Sequence, residues 1–207
     1  MHPRTLSIIA GVSYVAIFFL AIYANFFVIE ALLSDPVGTI INSQQHVRFG
    51  TMAFLLAAVL DVIIAWALFE LYRGHEFSLL STCFRIIHAV LMGAAVFALV
   101  PISNMLSADK ILVQVNTFNT LWLIGLFFFG FHILLVARIV KHIRFVPYAL
   151  ALAGFMYILD TTAQFTLINY ESHADIFLIL VAIPSILGEM SFTLWLLIKG
   201  GKLVEQS

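Results

Sequence analysis

Six ionisable side chains stand in stretches of sequence otherwise built from hydrocarbon: Asp61, Arg85, His88, His132, Asp160 and Glu189. Three carboxylic acids face one permanent cation, so two carboxylates lack a fixed countercharge. Such groups must be protonated, pair with a charged His88 or His132, or meet a cation, and each option is a setting for acid–base work, proton relay or ligand binding. The two histidines offer a second chemistry. Imidazoles at like depth on neighbouring helices can serve as axial ligands of a b-type haem. With Asp61 or Glu189 they can instead hold a divalent metal that keeps a position open for water. The plain alternative is structural: Arg85 neutralises Asp61 or Glu189 in an ion pair that fixes helix register, and each histidine is a hydrogen-bonded core residue.

The elements that carry these groups follow from composition. Of 207 residues, 63% are hydrophobic and 10% charged, against roughly 25% charged in soluble domains. Too few polar groups exist to cover a globular surface, so the chain reads as an integral membrane protein with the lipid bilayer as its principal partner. A formal net charge of −1 with no acidic or basic tail gives no reason to expect nucleic acid. One cysteine, Cys83, excludes an internal disulfide and a cysteine-based zinc site. The first apolar run is far longer than the core of a secretory signal, so none is expected.

A membrane-crossing helix needs roughly 20 apolar residues. Six such runs fall at about 5–33, 46–72, 78–106, 116–141, 146–168 and 175–199. Turn formers separate them, among them Ser34-Asp35-Pro36-Val37-Gly38, Arg73-Gly74-His75-Glu76 and Asn169-Tyr170-Glu171-Ser172-His173. Short connections make successive helices antiparallel neighbours. The expected fold is therefore all-α: a polytopic bundle of six transmembrane helices forming a single domain over residues 1–207. Lysine and arginine set its orientation. With the amino terminus inside, Arg4, Arg73, Arg85, Arg138, Lys141, Arg144, Lys199 and Lys202 fall on the cytoplasmic side, and only Arg48 and Lys110 fall outside. Both termini are expected in the cytoplasm of a multi-pass protein of the cytoplasmic (inner) membrane.

An ionisable group in mid-membrane costs roughly 2.5–3.5 kcal/mol on insertion and normally faces the bundle interior or a water-filled cavity. At about 1.5 Å per residue, Asp61, His88, His132 and Glu189 come out roughly 13–17 Å from the cytoplasmic helix ends. Four helices thus place an acid or base in one layer, with Arg85 a turn nearer the cytoplasm and Asp160 a turn nearer the outside. Helical spacing gives each a companion stripe: Gly11, Tyr14, Phe18 and Asn25; Trp122, Gly125, Phe129, His132 and Val136; Tyr157, Asp160 and Gln164; Ser185, Glu189 and Phe192. Pro184 leaves the carbonyl of Leu180 without its helical donor and favours a kink near Glu189. The expected site is a polar pocket in the cytoplasmic half, built by Asp61, Arg85, His88, His132, Tyr157, Asp160, Gln164 and Glu189. A second polar group, Glu30, His46, Glu171 and His173, lies at loop edges, where solvation explains it as well as a cation.

The chain resembles a family of small bacterial polytopic membrane proteins known only as a domain of unknown function. The resemblance runs over essentially the whole length. It rests on Val47-Arg48-Phe49-Gly50, Asp61, Phe84-Arg85, Phe129-Gly130-Phe131-His132, Pro147, Tyr157 with Asp160, Gly188-Glu189, Trp195-Leu196-Leu197 and Lys199-Gly200. At His88 this chain departs from a pattern that carries an uncharged polar residue such as glutamine, so the resemblance does not imply a two-histidine mechanism. It implies a bacterial cytoplasmic-membrane protein and supplies no activity.

Three functions compete. One is binding or translocation of a small molecule, a lipid headgroup or protons, favoured by the unbalanced carboxylates, Pro184 and the glycines Gly93, Gly125, Gly154 and Gly188, which permit close helix contacts. Another is a haem- or metal-dependent enzyme using His88 and His132. The third is a structural or partner-binding subunit. No mid-membrane lysine supports a retinal Schiff base, no phosphate loop or H-E-x-x-H helix occurs, and no histidine matches Ser185 for serine hydrolysis.

Overall fold

A computed structural model describes residues 1–201; Lys202, counted above among the basic residues, lies outside the described residues. Six helices are long and apolar enough to cross a membrane: α1 (Pro3–Ser34), α2 (Pro36–Leu71), α3 (Ser78–Asn104), α4 (Ala108–Ile139), α5 (Val146–Thr166) and α6 (Tyr170–Ile198). The described residues contain no strand, and the chain is a multi-pass membrane protein. Each helix packs on the one before it, and α6 returns to α1, closing a ring in chain order.

Three boundaries differ from the sequence reading: α6 opens with a 3-10 turn at Tyr170–His173, and the other two differ more, each for a local reason. The segment before residue 46 is helical and not a loop, because Ser34-Asp35-Pro36-Val37-Gly38 is a helix start. The Asp35 carboxylate accepts from the backbone N–H of Gly38 (3.0 Å), and Pro36 takes the first helical position, where no donor is needed. A Cβ at Gly38 would stand 1.9 Å from Asp35 Oδ2, so a side chain here would push the capping carboxylate aside. α2 then breaks at Ser43, where φ is −138° and ψ 28°. Helix α4 begins eight residues earlier than expected, at Ala108 against 116, with Asp109 in its first turn. Its early residues Ile111 and Val115 are fully buried, so packing outweighs the polar composition that suggested a loop.

α1 contains a π-helical stretch, Asn25–Ile29, where the Asn25 amide donates to the carbonyl of Ala21 (3.0 Å). α6 runs through Pro184 without interruption. The start of α1 meets the end of α6: Arg4 Nη1 donates to the carbonyls of Leu196 (2.9 Å) and Gly200 (3.0 Å), and its Nη2 to that of Leu197. A cation on the orphan carbonyls of a helix C-terminus satisfies them and complements the helix dipole.

Apolar packing falls into two main cores. The one at the end carrying the termini draws on α1, α2, α4, α5 and α6, with Tyr14, Ile64, Phe129, Leu150, Phe192 and Leu196 among its members. The one in the opposite half draws only on α1 to α4, around Phe54, Leu99, Ile111 and Phe118. Between them lies the polar layer.

Candidate functional site

The layer is assembled by helical spacing. On α3, Ser81, Arg85, His88 and Met92 are buried on one stripe. On α2, Ala57, Asp61, Ile64 and Leu68 are buried on another. Asp61 stands ten residues before Leu71, His88 ten after Ser78 and Glu189 nine before Ile198, about 13–15 Å from the helix ends in each case.

Arg85 is the hub. Its side chain is 1% exposed, and its Nη2 donates to Asp61 Oδ1 at 2.5 Å. Nη1 donates to the Tyr14 hydroxyl at 2.6 Å and to His132 Nε2 at 3.0 Å. Its Cζ lies over the rings of Tyr14 and Phe129, 4.7 and 5.2 Å from their centroids, a contact that favours a desolvated cation. One guanidinium therefore ties α3 to α1, α2 and α4. Asp61, at 2% exposure, is its countercharge; the sequence left Glu189 as the alternative.

A guanidinium only donates, so His132 Nε2 accepts and the ring proton sits on Nδ1. That nitrogen lies 3.0 Å from the Ser81 carbonyl and 2.9 Å from Ser81 Oγ. Both nitrogens of His132 are thus engaged, and neither is open to a haem iron or a metal. His88 Nε2 stands 3.6 Å from Asp61 Oδ2, beyond hydrogen-bonding distance. Its ring stacks at 4.7 Å on Phe129. Its Nδ1, like Arg85 Nε, has no hydrogen-bond partner among the described residues. The ring fits because residue 125 is glycine: a Cβ there would come 3.2 Å from His88 Nδ1. No group of three His, Cys, Asp or Glu able to hold a metal ion occurs among the described residues, and the donor set does not fit the haem or metal centre that two histidines suggested.

Beside this cluster lies a cavity of about 200 Å³ lined from all six helices. Asp61, Arg85 and His88 form its polar wall on α2 and α3, and Tyr157 and Glu189 face it from α5 and α6. Tyr157 donates its hydroxyl to Glu189 Oε1 at 2.8 Å. The remaining lining is apolar or aromatic, including Phe18, Ala57, Trp122 and Phe129.

Of the eight residues that the sequence assigned to one pocket, the structure brings together Asp61, Arg85, His88, Tyr157 and Glu189 on the cavity wall, with His132 directly behind Arg85. Asp160 and Gln164 do not line the cavity. Asp160 is partly buried and accepts from the Tyr170 hydroxyl at 2.6 Å, joining α5 to the start of α6. Of the outer polar group, His46 pairs with Tyr23 (3.2 Å) and His173 with the carbonyl of Asn169 (3.2 Å). Ser81, which fixes the tautomer of His132, escaped the sequence reading, although it stands one turn before Arg85 on the same stripe.

An uncharacterized protein of Archaeoglobus fulgidus is 26% identical to this chain over 163 residues, covering 76% of the chain and 87% of that protein. No solved structure matches the chain. The family described as Domain of unknown function (DUF4386) matches residues 9–200. A six-helix membrane bundle matched over nearly its whole length by that family belongs to it.

Proposed function

We propose that this protein binds a small molecule in the cavity between its six helices. The carrying observation is a division of labour within the polar layer. Arg85, Asp61, Tyr14, His132 and Ser81 bond to one another and lock four helices together. Glu189 and Tyr157 do not belong to that lock. They present a carboxylate and a hydroxyl to a space bounded by aromatic rings. A structural role explains the first set; the second needs an occupant. Binding is favoured over proton conduction because the polar groups lie in one layer, with apolar cores on both sides.

The distribution of basic residues supports a topology in which both termini, and the cavity in the half nearer them, face the cytoplasm across the cytoplasmic membrane. Labelling of single cysteines at His75 and Ser172, in a Cys83→Ser background, tests this: residue 75 reacts only from inside and residue 172 only from outside.

Native mass spectrometry of the protein extracted from its own membranes tests the binding. Wild type carries a small-molecule adduct. Ala57→Leu, which fills the cavity with three more carbon atoms, and Glu189→Gln both lose it. Identical spectra for wild type and Ala57→Leu would defeat the proposal.

A further inference from the structure

The cavity is too small for its own aromatic framing unless part of the ligand lies elsewhere. A cavity of about 150 Å³ holds one benzene ring, and drug-sized ligands take roughly 300 Å³ or more. At about 200 Å³ the space accepts a head of one ring's size. Anything larger must leave through an opening.

The opening lies between α1 and α6, in the half away from the termini. Contacts between these two helices run from Arg4, Ser7 and Gly11 to Leu196, Leu197 and Gly200, with Tyr14 against Phe192 as the innermost ring contact. Those of Arg4, Ser7 and Gly11 lie on the terminal side of the cavity, and Tyr14 stands at its wall. Beyond it, α6 exposes Ile176, Leu178, Ile179, Ile183 and Leu187, and the core of that half contains no residue from α5 or α6. Ile186 lines the cavity and is 52% exposed, which marks the mouth. At this depth the mouth gives onto hydrocarbon and not water, so the ligand arrives dissolved in the bilayer with an apolar tail.

The charge of its head follows from what is left unpaired. An anion would need Arg85, but Nη1 already donates twice and Nη2 donates to Asp61, the rings of Tyr14 and Phe129 lie against the guanidinium, and its unpartnered Nε is buried. An anion would also meet Glu189. A cation meets a carboxylate holding one hydrogen bond, from Tyr157, where an ionised carboxylate can accept about four. Phe18, Trp122 and Tyr157 line the same space, and aromatic faces attract an ammonium within about 6 Å. Crossing the hydrocarbon needs no net charge: a neutral amine and a protonated Glu189 carboxyl give ammonium and carboxylate by transfer of one proton.

Resting on the binding role above, we propose that the occupant is a membrane-dissolved amphiphilic amine that enters between α1 and α6 and sets its head against Glu189, leaving its tail in the lipid.

The test uses the full chain in phosphatidylcholine nanodiscs, with Trp66 and Trp195 replaced by phenylalanine so that Trp122 alone reports. Octylamine, octanol and octanoate share a tail and differ in head. Octylamine gives a saturable change in Trp122 emission with at least tenfold higher affinity than either other probe, and Glu189→Gln abolishes that preference. Ile186→Phe, which narrows the mouth without touching the carboxylate or adding a second indole, slows octylamine association at least tenfold and keeps the test decisive if Glu189→Gln does not fold. No saturable response to octylamine, or equal affinity for all three probes, overturns the amine assignment. A preference for octanoate or octanol overturns it too, while leaving the cavity a binding site with another occupant.

Discussion

The Arg85–Asp61 pair makes an asymmetric prediction. Asp61→Asn keeps the shape and one acceptor oxygen but leaves a guanidinium 1% exposed with only neutral partners, the amide oxygen, the Tyr14 hydroxyl and His132 Nε2. Breaking a buried pair in this way costs about 3–5 kcal/mol. Arg85→Met leaves the opposite orphan, a buried carboxylate, but His88 Nε2 stands 3.6 Å from its second oxygen and, once protonated, supplies a substitute charge. Asp61→Asn should therefore destabilise more than Arg85→Met. The double variant Asp61→Asn/Arg85→Met carries neither ion of the pair and leaves only neutral groups, chiefly the amide and His132 Nε2, unpaired, a loss of about 1–3 kcal/mol. The double variant is then more stable than Asp61→Asn alone, with a coupling of about 3 kcal/mol between the sites. Reversible unfolding by dodecyl sulfate titration in lipid–detergent micelles measures all four proteins, provided each unfolds in one transition. Single variants within about 0.5 kcal/mol of wild type, or losses that simply add, would refute the claim that this pair locks the bundle.

Two further outcomes follow from single contacts. Arg4→Ala removes three hydrogen bonds to the last turn of α6 and should lower stability by about 1–3 kcal/mol, with faster amide hydrogen exchange confined to residues 196–200; unchanged protection there would count against the cap. Gly154→Ala sets a Cβ 2.7 Å from the carbonyl oxygen of Gly130 on the facing helix and forces α4 and α5 apart, a loss of about 1–3 kcal/mol in the same unfolding assay, whereas Gly93→Ala meets open space and should leave stability unchanged.

Much of the site was legible because one rule governs it. Charges in hydrocarbon turn inward, so depth counted along each helix placed Asp61, His88, His132 and Glu189 in a single layer, and the structure brings the first three into contact around Arg85. The rule fails where a charge has a local exit. Asp160 shares the helical stripe of Tyr157, yet it lies close enough to the end of α5 for Tyr170 to reach it across the turn, and a partner beyond the helix cannot be read from spacing within it. Helix ends failed for a related reason. Ser34-Asp35-Pro36 carries the signals of a turn and of a helix start alike, and only the bond from Gly38 to Asp35 decides between them. Tautomers are also beyond a sequence: His132 looks like a ligand until Arg85 is seen to occupy its Nε2.

The same geometry separates two uses of charge that the residue count ran together. Counting three carboxylates against one arginine treats them as one population short of cations. In the folded chain they are three situations. Asp61 is spent on Arg85, and that pair is walled by Tyr14 and Phe129, so its removal should act on stability. Asp160 is spent on a tyrosine near the rim. Glu189 alone keeps an unfilled carboxylate beside empty volume and an open seam between helices. A buried lock and a partly buried rim require no ligand, whereas a carboxyl group held in hydrocarbon with one hydrogen bond carries a standing desolvation penalty. Such a penalty persists in a fold when something the protein binds relieves it, and for that reason substitution of Glu189 should change what the protein holds more than how firmly it is folded.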